Sequence, residues 1–410
     1  MPTQQSAQLP PQAVLLTILA GLGMIGPFSI DTMFPAFASM GRQLNVSELA
    51  LQQLLSVYLV AFAAMSLLHG PISDAVGRKP VILAGCTLYA AASVGCALAE
   101  DLPTLLICRA LQGATAGAGT IISRAMVRDI FTGARAQQVM SHIAMIFGLA
   151  PALAPVIGGW LLLFGSWHSV FWFLAALGAL LALLCAVALP ETHPPQARIR
   201  LNFRGIWSGL ALVLSDAGGR RLAFAATFNF AGMFLYISAA PILVVSRLGL
   251  GEQDFWILFI PLIGGMVVGS WVAGRLAHRW APPRVATTGF RIGVGAALAN
   301  LAIAVSPVAT ALPWAVALLP LYSFGVALAY PILTLAMLDL FPTRRGSAAS
   351  VQAFVQLVSN AVISGLVAPL LAGSMGALAA GALAMTLLGV LLWTWQRRAL
   401  PLEGADPAQA

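Results

Sequence analysis

The chain has 410 residues, of which 60% are hydrophobic and only 8% charged, with a formal net charge of +8. Soluble domains carry roughly 25% charged residues, so these proportions exclude a water-soluble globular protein and point to hydrocarbon as the surrounding medium. Nucleic acid is not the implied partner of the basic excess, because the basic residues fall in short clusters between apolar runs, as topology signals do.

The apolar runs approach or exceed the ~20 residues of a membrane-spanning helix and are too long for barrel strands of about 10 alternating residues. Twelve spans are read: 13–38, 49–70, 79–99, 102–124, 137–164, 167–189, 221–246, 254–277, 285–306, 312–336, 347–372 and 375–396. The N-terminal "MPTQQSAQLPPQ" has no basic n-region, so no cleaved signal peptide is expected. The first span holds Asp31, the only acid deep within any span. Stranding a carboxylate in hydrocarbon costs roughly 2.5–3.5 kcal/mol, so such residues usually face a cavity and serve a function. Asp31 is therefore the candidate carrier of a coupling proton, the alternative being a structural acid neutralised by a helix neighbour.

Between spans two and three lies "GPISDAVGRKP", Gly70 to Pro80, with Asp74, Arg78 and the chain's only lysine, Lys79. Arg78 and Lys79 alone read as a positive-inside turn. Asp74 adds an acid that can pair with basic side chains or a helix N-terminus, and Gly70 and Gly77 allow close packing or a turn. Such contacts can form in one arrangement of the molecule and break in another. The fourth span carries a buried cation, Arg109, with Gln112 one turn along the same face. Arg109 either acts on Asp31 in proton coupling or holds backbone carbonyls of a broken first helix. The fifth span contains "GLAPALAPVIGG", with two prolines and three glycines, which bend a helix or let it pack closely.

The longest internal polar segment, 190–220, divides the spans six and six, with Pro190, Pro194 and Pro195 ending the sixth. Within it Phe203, Ile206, Trp207 and Leu210 recur at helical spacing, which fits a helix at the membrane interface or a plain linker. The expected organisation is an N-terminal half over 1–189, a cytoplasmic linker over 190–220 and a C-terminal half over 221–410. It is an all-α polytopic membrane protein with 12 transmembrane helices in two pseudo-symmetric halves. With both termini cytoplasmic, only Arg42 and Arg247 of the 21 Lys and Arg fall in outside loops, and Arg109 and Arg291 fall within spans.

Enzymatic chemistry finds no footing. His69, His142, His168, His193 and His278 show no metal-ligand spacing, and Cys86, Cys96, Cys108 and Cys185 read as small buried hydrophobes. No P-loop is present. No metal and no cofactor are expected, leaving a proton gradient as the energy source.

Several motifs together resemble the major facilitator superfamily. The G-x-x-x-D-x-x-G-R-K/R loop motif is intact at Gly70, Asp74, Gly77, Arg78 and Lys79. "ICRALQG" resembles the fourth-helix R-x-x-Q-G motif at Arg109, Gln112 and Gly113. "GLAPALAPVIGGW" resembles the fifth-helix motif of drug/proton antiporters at Gly148, Pro151, Pro155, Gly158 and Gly159, and "PET" at 190–192 closes the sixth helix as it does in that family. "SIDTMFPAF", "SRAMVRD", "LYISAAP" and "FPTRRGSAAS" narrow the resemblance to the Bcr/CflA-type multidrug resistance exporters. The resemblance implies proton-coupled efflux of small lipophilic or cationic drugs by alternating access, in a monomer spanning the bacterial inner membrane. Proton coupling falls on Asp31 and Arg109, and a cytoplasmic latch on the loop motif. Phe28, Met33, Tyr58, Gln112, Asn229, Tyr236, Gln356 and Asn360 lie in spans that line the substrate cavity of similar transporters. The alternative is a proton-coupled carrier of a metabolite such as an amino acid, sugar or nucleoside. Such carriers usually place more charge in their central helices than one aspartate and one arginine.

Overall fold

Three of the long helices begin where a short polar side chain accepts one of the unsatisfied first amides. Ser47 takes the Ala50 amide, Asp101 takes that of Thr104 at 2.8 Å, and Asp216 takes that of Gly219 at 2.7 Å. The structure is a computed structural model that describes residues 11–131, 133–198, 201–276, 279–342 and 344–399, with side chains given except at 133–138, 140–148 and 197.

In chain order the helices are α1 (Gln12–Asp31), α2 (Phe37–Leu44), α3 (Glu48–Val76), α4 (Arg78–Ala97), α5 (Leu102–Ile130), α6 (Gly133–Phe164) and α7 (His168–Ala188). There follow α8 (Phe203–Ser215), α9 (Ala217–Ser238), α10 (Trp256–Leu276), α11 (Pro282–Ala304), α12 (Leu319–Leu340), α13 (Arg345–Val362), α14 (Ala368–Leu371) and α15 (Met375–Ala399). No strand occurs among the described residues. Ten helical segments there are long and apolar enough to cross a membrane, two of them formed by α1 with α2 and by α13 with α14. The 32-residue α6 and the 22-residue α9 fall where the other two of the twelve spans are expected from the sequence and are long enough to serve as them. Large apolar side chains face outward along them: Phe164 is 89% exposed and Val187 and Leu370 are each 79% exposed. In water these would be a liability, whereas in a bilayer they are the lipid-facing surface.

The chain divides into two compact units. One comprises Met1–Asn202 together with Val244–Phe259, and the other comprises Phe203–Leu243 and Ile260–Ala410. In the first, α5 packs against α3 and α4, α4 against α7, and α1 against α6, α5 and α7. In the second, α9 packs against α15, α12 and α13, α11 against α12 and α15, and α8 against α13.

Three spans depart locally from the sequence reading, two of them at prolines. The first span breaks after Asp31 into a 3-10 turn at Phe34–Ala36, where Pro35 has no amide to donate. The helix of the tenth span, α12, begins at Leu319, because the segment before it, with Pro307 and Pro313, lies in turns. The eleventh passes through a π-helical stretch at Ile363–Val367. The segment after residue 202 does form a helix, but α8 buries Gly209, Leu210 and Val213 and leaves Phe203 and Trp207 exposed. Its apolar surface is thus wide enough to meet both α13 and the membrane interface.

Candidate functional site

The first unit gathers polar side chains from four helices around Arg109, which is completely buried. Its Nη1 donates to the Ser29 carbonyl at 3.1 Å and to Gln112 Oε1 at 2.9 Å, and its Nε donates to the Leu54 carbonyl at 3.3 Å. Ser29 lies in the last turn of α1, where carbonyls lack intrahelical partners and the helix end is partially negative. A guanidinium answers both needs. Its face also lies over the Tyr58 ring, 4.5 Å from the centroid. Gln112 extends the network, donating to Ser93 Oγ at 2.6 Å, and Ser29 Oγ shares a hydrogen bond with the Tyr89 hydroxyl.

Asp31, two residues beyond Ser29, ends α1 at the break in the first span and is 3% exposed. It makes no ion pair among the described residues; Arg109 spends its hydrogen bonds on carbonyls and Gln112 instead. Of the two roles open to Arg109 on the sequence, its contacts are those of the second. One buried donor in the cluster, Arg109 Nη2, has no acceptor among the described residues. Buried polar atoms are normally paired, so Nη2 is a donor open to a water or ligand atom.

The loop motif forms a second cluster. Arg78 pairs with Asp74 one turn earlier, donates to Ser73 Oγ, and reaches Asp129 at 3.2 Å through Nε. Asp129 also accepts from Thr192 Oγ1 at 2.9 Å. Gly77 precedes α4 with φ +118°, a conformation that L side chains rarely adopt, so it offers no side chain to cap the helix. Glu191 supplies the missing cap. Its carboxylate accepts from the Arg78 amide at 3.1 Å and the Lys79 amide at 3.3 Å, while Lys79 Nζ donates to the Ala186 carbonyl at 2.9 Å. A Cβ on residue 77 would stand 2.6 Å from Glu191 Oε2, so the glycine serves both the turn and the cap. Gly70 has open space around its Cα, and its carbonyl accepts from Ser73 Oγ.

Asp129, Thr192 and Glu191 were not assigned roles by the sequence reading, although two quoted motifs contain them. The available signal was an acid next to a helix end. Replacing Glu191 with alanine is expected to lower stability by ~1 kcal/mol, the usual value of a helix cap, measured as a depressed unfolding temperature of the purified protein. Glutamine, which still accepts from the amides, should recover part of the loss.

In α6, Pro151 and Pro155 lie within the helix, and Gly158 and Gly159 are each closed in from one side. A Cβ at Gly158 would collide with the Thr32 carbonyl, immediately after Asp31. One at Gly159 would lie 2.7 Å from the Glu252 carbonyl in the Val244–Phe259 segment. The small residues therefore bring α6 onto the break in the first span. The surroundings of Gly148 lie outside the described residues.

The other cavity candidates fall in both units. In the first, Phe28 packs against Phe173 with centroids 6.0 Å apart, and Met33 is fully buried. In the second, Asn229 donates to the Val326 carbonyl at 3.0 Å, Tyr236 accepts from Asn300 at 2.7 Å, and Gln356 accepts from Tyr330 at 2.6 Å. Asn360 Oδ1 is buried without a partner. Tyr58 and Gln112 thus meet in one cluster with Arg109, while Asn229, Tyr236 and Gln356 occupy separate hydrogen bonds.

Comparison with known proteins places these features in a family. The model of the Major Facilitator Superfamily matches residues 19–364. The uncharacterized MFS-type transporter YdgK of Bacillus subtilis is 33% identical over 360 residues, 86% of this chain and 88% of the relative. Multidrug resistance protein D of Escherichia coli is 29% identical over 92% of this chain and 93% of its own length. The crystal structure of the human organic anion transporter MFSD10 has the same fold, with a TM-score of 0.69 at 21% identity, covering 94% of this chain and 100% of that one. The spans, the loop motif and the family match together identify the chain as a member of the major facilitator superfamily, a membrane transporter.

Proposed function

We propose that this protein exports small lipophilic or cationic compounds from the cell in exchange for protons, acting as a monomer in a bacterial plasma membrane with both termini cytoplasmic. The observation that carries the reading is Asp31: a buried carboxyl at a broken helix that makes no ion pair among the described residues. Its charge is met by no cation among the described residues, so the water and substrate that reach it govern whether it holds a proton. Relatives named for resistance to bicyclomycin, to chloramphenicol and to several drugs support the substrate class.

In the cycle, substrate enters from the cytoplasm, the halves over 1–189 and 221–410 alternate access, and an outside proton takes Asp31 as substrate leaves. Arg109 holds the end of α1 in place, so that protonation next to it is felt by the packing of the first span. Asp74, Gly77, Arg78 and Lys79, with Gly70, form the latch, and the Pro151, Pro155, Gly158 and Gly159 segment with Gly148 seals the fifth span. Phe28, Met33, Tyr58, Gln112, Asn229, Tyr236, Gln356 and Asn360 supply the adaptable substrate surface.

Everted membrane vesicles carrying the protein, given an imposed pH gradient and a panel of labelled compounds, test this reading. Gradient-dependent uptake of cationic dyes or antibiotics into the vesicles is the expected result. Selective transport of an amino acid, sugar or nucleoside, or transport indifferent to the gradient, would refute it.

A further inference from the structure

The four cysteines of the chain stand in two pairs, and both pairs include α4: Cys86 meets Cys185 of α7, and Cys96 meets Cys108 of α5. The transport cycle uses none of them. Cys86, Cys185 and Cys96 are buried, whereas Cys108 is half-buried and reachable. The second pair has a seat made for it. A Cβ on Gly95 would lie 2.7 Å from Cys108 Sγ, so a glycine beside Cys96 is what admits the sulfur against α4. Cys96 also touches the buried polar cluster. Its thiol donates to Gln112 Oε1 at 3.5 Å, the same oxygen that accepts from Arg109.

We propose that Cys96 and Cys108 are a modification site, a thiol pair that closes into a disulfide between α4 and α5 and thereby removes the thiol donor from Gln112. The oxidant is a disulfide, acting by exchange. Cys108, the reachable sulfur, loses its proton and attacks the oxidant, releasing one thiol and leaving a mixed disulfide. Cys96 then loses its proton, attacks Cys108 Sγ and releases the second thiol. The chain's two sulfurs lose two electrons and two protons in all, and the oxidant's two sulfurs gain them. On the topology proposed above, the pair lies at the non-cytoplasmic end of the spans, the side where disulfides persist. With the bond closed, Gln112 Oε1 keeps only Arg109, and the network that fixes the end of α1 loses one of its supports.

Everted vesicles formed in the presence of oxidised glutathione, so that it fills the lumen facing the non-cytoplasmic ends of the spans, provide the test, read by maleimide labelling after denaturation and by peptide mapping. The expected result is loss of two labelled thiols, a peptide joining Cys96 to Cys108, and a several-fold fall in transport that a reductant reverses. A Cys108→Ser variant should keep its basal rate and become insensitive to the oxidant. Gly95→Ala keeps both thiols but should close the bond several-fold more slowly. Retention of all thiols, or a cross-link confined to Cys86 and Cys185, would overturn the site. A Cys96–Cys108 link that leaves transport untouched would overturn the connection to Gln112. The thiol count and the peptide map are readable even if drug export itself fails to appear, so the two readings fail separately.

Discussion

Vesicles carrying Asp31→Asn are expected to lose concentrative export while continuing to equilibrate substrate down its gradient. A pH difference of one unit supplies about 1.4 kcal/mol per proton, which sustains at most about a tenfold substrate ratio for a single proton exchanged. Asparagine has nearly the size of aspartate and retains hydrogen-bonding groups, but it cannot bind and release the proton. The gradient then has no differential hold on the two conformations, and the accumulation ratio should fall to about one. The fold should survive the change. Asp31 makes no ion pair among the described residues, so its replacement leaves no buried cation uncompensated, and the thermal transition should move little. That combination separates a proton carrier from a structural acid, whose loss would depress stability and downhill exchange together. Wild-type accumulation by Asp31→Asn would eliminate Asp31 as the coupling site.

Asp31 was legible in the sequence for a simple reason: hydrocarbon makes an acid within an apolar run costly, and only one lies deep within a span. The loop motif was legible through its own spacing, since Asp74 and Arg78 are one turn apart on the end of one helix and its successor. What completes that cluster was not. Glu191 reaches the Arg78 amide across 113 residues, and no local periodicity announces a cap supplied from the end of another span. The same holds for the buried network. Arg109 and Gln112 fall on one helix face, and carbonyls of a broken first helix were one of the two partners open to Arg109, but which carbonyl it takes, and that Leu54 supplies another, carry no side-chain signature. The π-helical turns at Ile242–Arg247 and Ile363–Val367 have no sequence period that distinguishes them from α-helix. Span count followed from apolar length alone, whereas span ends depended on prolines, as at the start of α12.

The second large effect is expected at Arg109, where lysine should fail nearly as badly as alanine. If the site needed only positive charge, Arg109→Lys would preserve transport. The geometry asks for more. One guanidinium serves the Leu54 carbonyl on α3, the Ser29 carbonyl on α1 and the Gln112 amide on its own helix, while its flat face covers Tyr58. An ammonium is a compact point charge without that planar fork and cannot span the three acceptors together. At least one carbonyl is then stranded in a buried site, at a cost of about 1–3 kcal/mol each. Loss of the Ser29 contact matters most, because it frees the end of α1 that carries Asp31. Arg109→Lys is therefore expected to lower the unfolding temperature and to cut gradient-driven export by more than about tenfold, equivalent to roughly 1.4 kcal/mol. Alanine should do the same with a larger loss of stability. Lysine that restores export to the wild-type rate would mean that the charge alone matters, and that the first span does not need its end held in place.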